Sequence, residues 1–424
     1  MTALLTIAIS TLFIELETTI AGIKIRPFDG VLILILIYVF ISPGYKAQRA
    51  KIIHTLGHPI CMSFLFYLSY QFFNGVLLGS ATSSVKELIQ ASEFLILALL
   101  VSSILTSGES RQKSLKVLII CLGIIVIANT AAHIFNGRFS GFKDFGDPKY
   151  AYGIFATLMV GVAMTGGNLR SRTFLFSLLA CLILLVLSGE RKGWLGFVFA
   201  LIAMAAAADY IRVKTFAKVA IVSILLVAPL SLWLSQFTYI QRQVSSIEQL
   251  FSIVTDGEIS QAQSYETTIS NQARLFIWNF SISQIEEHPI VGIGTERFRP
   301  IIQKLEIPNN LAPGAHNEYL RVQVENGIVG LTMLLIFQAA VLRTLYQLRL
   351  THRKEYVVGI GAFTYGSVVN FFMGGGDALN QFYFIFPAII ALSSTLGRSP
   401  STAKKKNAQF HFKSYRQLNN SRTA

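Results

Sequence analysis

Apolar positions along this chain gather into long runs, each close to the roughly 20 residues that a helix needs to cross about 30 Å of hydrocarbon at about 1.5 Å per residue. The runs predict spans near 1–20, 28–43, 57–79, 88–106, 115–136, 150–168, 172–188, 193–209, 217–235, 324–347, 356–373 and 379–396. The first run contains Glu15 and Glu17 and lacks a small-residue cleavage site after a short basic start, so it reads as a retained helix and not as a removable leader. The pattern predicts an all-α polytopic membrane helix bundle of about twelve transmembrane helices.

Composition agrees with the pattern. Of 424 residues, 53% are hydrophobic and 14% charged, and the mean hydropathy is +0.55, far more apolar than a soluble domain. Cys61, Cys121 and Cys181 all fall inside apolar runs, where a small apolar side chain packs well and no spacing supports a disulfide framework or metal cluster.

Charge gives the orientation. With a cytoplasmic start, the inner loops collect Lys46, Arg49 and Lys51, then Arg111 and Lys113, Arg170 and Arg172, Arg212 and Lys214, Arg343 and Arg353, and finally a basic tail from Arg398. Lys and Arg in short inner loops are what the positive-inside rule requires, so both termini are expected in the cytoplasm. The net charge of +14 is scattered over these loops without an aromatic platform or motif for nucleic acid, and the tail is expected near anionic headgroups. The chain thus divides into nine helices over 1–235, an external segment over 236–315, three helices over 316–397 and a cytoplasmic tail over 398–424.

The segment 236–315 is too polar to be buried and too long for an idle connection, so function is expected there. Through Ser270 it is rich in Ser, Gln, Thr and acids and reads as a mobile or partly helical flap. From Asn271 to Pro289, Leu275, Trp278, Ile282 and Ile285 recur at helical spacing beside Phe276 and Phe280, predicting an amphipathic helix on the membrane or on the bundle. Arg274 sits in its first turn, where an ordinary interfacial arginine is one reading. A second helix begins at His316 after Pro313 and Gly314 and leads into span ten. Glu318, Arg321 and Glu325 are three and four apart, a spacing that pairs them along one helix face.

These residues carry a resemblance. His316-Asn317, nine residues, then Gly327-Ile-Val-Gly330 fits the signature of the O-antigen ligase family within the O-antigen ligase and polymerase superfamily. Arg138-Phe-Ser-Gly141, the stretch from Leu187 through Arg191 and Lys192 to Leu195, Arg274-x-x-x-Trp278 and Pro289-x-x-Gly-x-Gly294 follow in family order. The chain departs from the family at Asp147-Pro-Lys149, and the order of Ser and Arg before span eight is loosened by Gly189-Glu190, so Arg191 or Lys192 faces the site, with Arg191 preferred.

The resemblance implies a glycosyltransferase of the bacterial inner membrane whose periplasmic site moves a glycan from undecaprenyl pyrophosphate to a sugar hydroxyl of the lipid A core. The leaving pyrophosphate gathers negative charge that preplaced cations must meet, and arginine donates bidentately to phosphate without losing its charge. Arg191, Arg274, Arg138 and Lys192 are the residues implied for that task. His316 is implied as general base or as the group that orients the acceptor hydroxyl, since an unperturbed imidazole has a pKa of about 6.5. Asn317 and Arg321 support it, while Asp377, in the turn from Gly374, either steadies His316 or an arginine or is a simple polar turn. Attack opposite the leaving group inverts the anomeric centre. No Asp-x-Asp motif or phosphate loop is present, so no metal or nucleotide cofactor is expected. The alternatives are the polymerase branch, which extends another lipid-linked glycan, and a transporter, which would call for internal repeats or paired broken helices at midplane.

Overall fold

A computed structural model describes residues 18–20, 23–25, 27–79, 81–104, 149–165, 172–187, 191–208, 265–305, 315–372 and 379–396. Its helices are α1 (Pro27–Ile41), α2 (Lys46–Leu56), α3 (Pro59–Leu78), α4 (Ala81–Ile104), α5 (Lys149–Met164), α6 (Arg172–Leu187), α7 (Arg191–Ala207), α8 (Tyr265–Glu287), α9 (Phe298–Lys304), α10 (Glu318–Gln347), α11 (Arg353–Phe372) and α12 (Leu379–Leu396). Nine of them overlie runs expected to span. The expected spans 115–136 and 217–235, residues 1–17, the flap through 264 and the tail over 398–424 lie outside the described residues.

Of the described helices, α3, α4 and α10 are long and apolar enough to cross a membrane. A fourth candidate is the bent pair of α1 and α2, which meet at 90°. The connection expected to hold Lys46, Arg49 and Lys51 is itself helical. A 3-10 turn at Pro43–Tyr45 breaks the chain, and the Arg49 guanidinium donates to the carbonyls of Val39, Phe40 and Ser42 at 3.2, 2.8 and 3.0 Å. A cation thus closes the carbonyl end of α1, where orphan acceptors and the negative end of the helix dipole meet.

The described elements are helical as expected, apart from one short antiparallel pair. Thr18–Ile20 (β1) and Ile23–Ile25 (β2) pair antiparallel, with Thr18 opposite Ile25, so the end of the first expected helix is a strand.

The bundle is built by α3 against α10 and α4, α12 against α4, and α11 against α7, α12 and α5. Close approach rests on small residues. A Cβ on Gly153 of α5 would lie 2.2 Å from the Tyr365 hydroxyl, and one on Gly196 of α7 would lie 3.1 Å from the same ring, so α11 sits where larger residues would hold it away. Tyr365, Phe94 and Phe155 are fully buried, whereas Leu34, Phe66, Phe73 and Leu77 stand outward. Apolar side chains outside with Gln71 and Asn74 buried inside is the arrangement of a protein whose surroundings are lipid.

A second, smaller core lies at one end. Ile277 of α8, Ile293, Phe298 and Ile302 around α9, Ala315 and Val324 of α10 pack together, with Phe280, Ile285 and Ile301 at their edge. This unit, α8 through the first turns of α10, is the cap.

Candidate active site in the cap

The cap begins with α8, the helix expected on the membrane or on the bundle. Ile277 and Ser281 are buried, whereas Ile282 is 50% exposed and Phe276 also stands outward. The helix turns Arg274, Ile277, Trp278 and Ser281 toward the protein and leaves Phe276 and Ile282 outside. Ser281 is tolerated in the buried face because its hydroxyl donates to the Ile277 carbonyl at 2.7 Å. Residues 265–270, at the end of the expected flap, already belong to this helix.

Trp278 Nε1 donates to the Ala315 carbonyl at 2.8 Å. That bond ties α8 to the residue before His316. Arg274 lies one turn back on the same helix face, half-buried, and its Nε donates no hydrogen bond among the described residues. His316 itself has φ 50, a left-handed backbone that few non-glycine residues adopt, followed by Asn317 in extended conformation. The Asn317 side chain accepts from the Leu320 amide at 3.1 Å and caps α10. His316 is therefore displayed at a sharp turn at a capped helix start, half-buried. The turn is a local strain of the order of 1–3 kcal/mol that the surrounding contacts must hold.

Behind His316, α10 is broken. The sequence reads as one helix running into span ten, but Gly327 has φ 62 and ψ −168 and interrupts it. The two halves leave backbone groups open, and the loop between α8 and α9 fills them. Ile293 and Gly294 amides donate to the carbonyls of Val324 and Glu325, both at 2.9 Å, and the amides of Ile328 and Val329 donate to Pro289 and Ile290 carbonyls at 2.9 and 3.3 Å. The loop comes in so close that a Cβ on Gly327 would sit 2.1 Å from the Ile290 oxygen, and one on Gly294, itself at φ 103, 2.7 Å from the Gly79 nitrogen. The two glycine motifs of the sequence thus meet each other as a backbone splice. Asn74 of α3 holds the same loop, donating to the Val291 carbonyl at 2.6 Å and accepting from the Thr295 amide at 3.0 Å.

Arg321 lies under this splice, 4% exposed. Its guanidinium pairs with Glu318 at 2.6 Å and Glu325 at 2.6 Å, the partners its spacing predicts, and stands 3.7 Å from Glu87 of α4 and 3.9 Å from Glu296 of the loop. Glu325 also accepts from the Phe298 amide at 3.3 Å, fixing the start of α9. Burial raises the Glu296 carboxyl above the ordinary range, with Arg321, Lys86 and Arg299 acting against that rise. The sequence reading missed Glu87 and Glu296. The only signal for Glu296 is its place two residues after Gly294, and Glu87 sits at the polar start of a span.

The remaining expected site residues are less fully placed. Arg191 opens α7, but its side chain lies outside the described residues, and Lys192 beside it is half-buried with a partner of its own. Arg138 and Asp377 lie outside the described residues. Among the described residues, no group of three His, Cys, Asp or Glu side chains is arranged to hold a metal ion. The structure does bring together the helix of Arg274, the turn of His316, the Asn317 cap and the Arg321 ion network.

No curated protein matches the chain. Residues 175–335, which include Arg191, Lys192, Arg274, His316, Asn317 and Arg321, match the family model described as O-antigen ligase.

Proposed function

We propose that this membrane protein transfers a glycan from undecaprenyl pyrophosphate to a sugar hydroxyl of the lipid A core, at the periplasmic face of a bacterial inner membrane. The observation that carries the reading is the hydrogen bond from Trp278 to Ala315. It joins the helix bearing a half-buried arginine to the turn bearing a half-buried histidine, inside the stretch that matches the O-antigen ligase family.

In this reading the segment over 236–315, which supplies most of the cap, lies on the periplasmic side of the nine expected spans over 1–235 and the three over 316–397, and both termini lie in the cytoplasm. The Arg274 guanidinium meets the donor pyrophosphate, joined by Arg191, Lys192 and Arg138, and His316 receives the proton of the acceptor hydroxyl. The acceptor oxygen forms its bond to the anomeric carbon as the bond to pyrophosphate breaks, the electron pair leaves on undecaprenyl pyrophosphate, and configuration inverts. Asp377 is assigned a supporting place beside these groups.

The test is transfer by purified protein supplied with undecaprenyl-pyrophosphate glycan and lipid A-core. Wild type should build the lipopolysaccharide ladder, and His316→Ala should lose at least about a hundredfold in rate, the scale of a general base. Extension of the donor glycan by wild type, with lipid A-core left untouched, would replace the ligase reading by that of a polymerase.

A further inference from the structure

Four buried or largely buried carboxylates surround one guanidinium. Glu318 and Glu325 each hold Arg321 directly, and Glu296 has Lys86 and Arg299 near it as well as Arg321. Glu87 is the member left over. It is 8% exposed, one oxygen stands 3.7 Å from Arg321, and the other, Oε2, has no hydrogen-bond partner.

A second residue with an orphan acceptor lines the same pocket as Glu87. Gln71 of α3 is 3% exposed, and its amide nitrogen donates to the Tyr67 hydroxyl at 2.8 Å, but its Oε1 has no partner. Gln71 and Glu87, with Ser84 and Thr295, line a small pocket between α3, α4 and the loop, closed on its other sides by Leu68, Phe72 and Leu88. It has room for one water-sized occupant.

With Glu87 ionised, the two orphan atoms are both acceptors, and an occupant between them donates or is positive. A water molecule would fill both lone pairs but leave the surplus of negative charge in a region from which solvent is excluded, where an unbalanced charge is strongly unfavourable. A divalent ion is a poor match, because the pocket offers one carboxylate with neutral oxygens and water keeps such ions well solvated. One carboxylate oxygen, one amide oxygen and neighbouring hydroxyls suit a small monovalent cation.

We infer that the pocket between α3, α4 and the Pro289–Arg297 loop is a sodium site, with Glu87 and Gln71 as its principal ligands. The ion supplies the missing positive charge and fastens α4 to the loop that splices α10. It belongs to the architecture of the cap and stands whether the protein is a ligase or a polymerase.

The experiment is binding of radioactive sodium to the purified full-length protein, paired with thermal melts in sodium chloride and in choline chloride at equal ionic strength. Wild type should take up sodium displaceable by unlabelled sodium and melt on the order of 3 °C higher in saturating sodium than in choline. Both responses should vanish in Glu87→Gln, weaken at least fivefold in Gln71→Met, and persist in Glu286→Gln on the exposed side of α8. Identical melts of wild type in the two salts without displaceable uptake would overturn the site and leave a proton on Glu87 with a water in the pocket. Sodium uptake unchanged in Gln71→Met, or in a folded Glu87→Gln, would overturn the assignment of ligands. The wild-type comparison needs no variant to fold.

Discussion

In the bundle, α5, α7 and α11 meet through glycines laid against Tyr365 and through buried aromatic and aliphatic side chains. In the cap, a short apolar cluster around Ile277, Phe298 and Val324 shares the work with four backbone hydrogen bonds across a helix break and an arginine among four carboxylates. Packing of the first kind is shape-dependent but tolerant of like-sized replacements. Holding of the second kind depends on every partner being present, since an unpartnered buried polar group is penalised more than a satisfied one is favoured. The residues proposed to act on substrate, Arg274 and His316, are attached to the second kind, so geometry there is set by a few named contacts.

Arg321→Met should show the largest separation between the regions. It strips the shared cation from Glu318 and Glu325 and should destabilise the cap by about 3–5 kcal/mol, the scale for breaking a buried pair. Hydrogen exchange should then rise across 289–326 while α5, α7 and α11 stay protected. Uniform exchange across both regions would show that the cap is no separate unit. Gly327→Ala comes next. Its Cβ would press on the Ile290 carbonyl at a positive φ, and a loss of about 2–3 kcal/mol in cap stability, with transfer down at least tenfold, is expected from strain of that class.

Trp278→Phe keeps an aromatic side chain but removes the Nε1–H that donates to the Ala315 carbonyl, and about 1 kcal/mol is expected from the lost bond. That should appear as a fall of several-fold in transfer rate with the melting temperature nearly unchanged. The smallest effect belongs to Glu296→Gln. Its folded carboxyl is raised above the unfolded value, so its contribution to stability is present below the ordinary carboxylate pKa and lost as pH rises through the raised one. The variant should lose less stability than wild type as pH rises from that ordinary value toward neutrality, measured by thermal melts. Steeper loss in the variant would reverse the sign assigned to Glu296.

The two regions also differ in how far they can be read from residue order. The run read as 57–79 forms a helix at Pro59–Leu78, and that read as 379–396 forms one at Leu379–Leu396, because lipid-facing and core-facing positions are both apolar and their lengths follow the bilayer. The pairing of Arg321 with Glu318 and Glu325 was legible for the same reason, being local to one helix. The partners Glu87 and Glu296 were not, since they arrive from other elements. The break at Gly327 was hidden because the apolar period continues through it, and what sustains it is a loop nearer the start of the chain. The helix cap at Asn317 had a local signal, an Asn just before a helix of charged and apolar residues. Spacing left open whether the apolar positions of α8 face lipid or protein, and Ile277 and Ser281 define its inner face.

The splice at Gly327 has a consequence for how the chain tolerates changes in length. Its four hydrogen bonds couple residues 289, 290, 293 and 294 to residues 328, 329, 324 and 325 in fixed register. Adding or removing a single residue within either segment shifts some of those donors and acceptors out of step, while both segments are already so close that there is no slack to absorb the change. The spacing within these two segments is therefore a ruler shared by both, and lengthening one of them leaves the other with backbone groups that neither lipid nor packed side chains can satisfy.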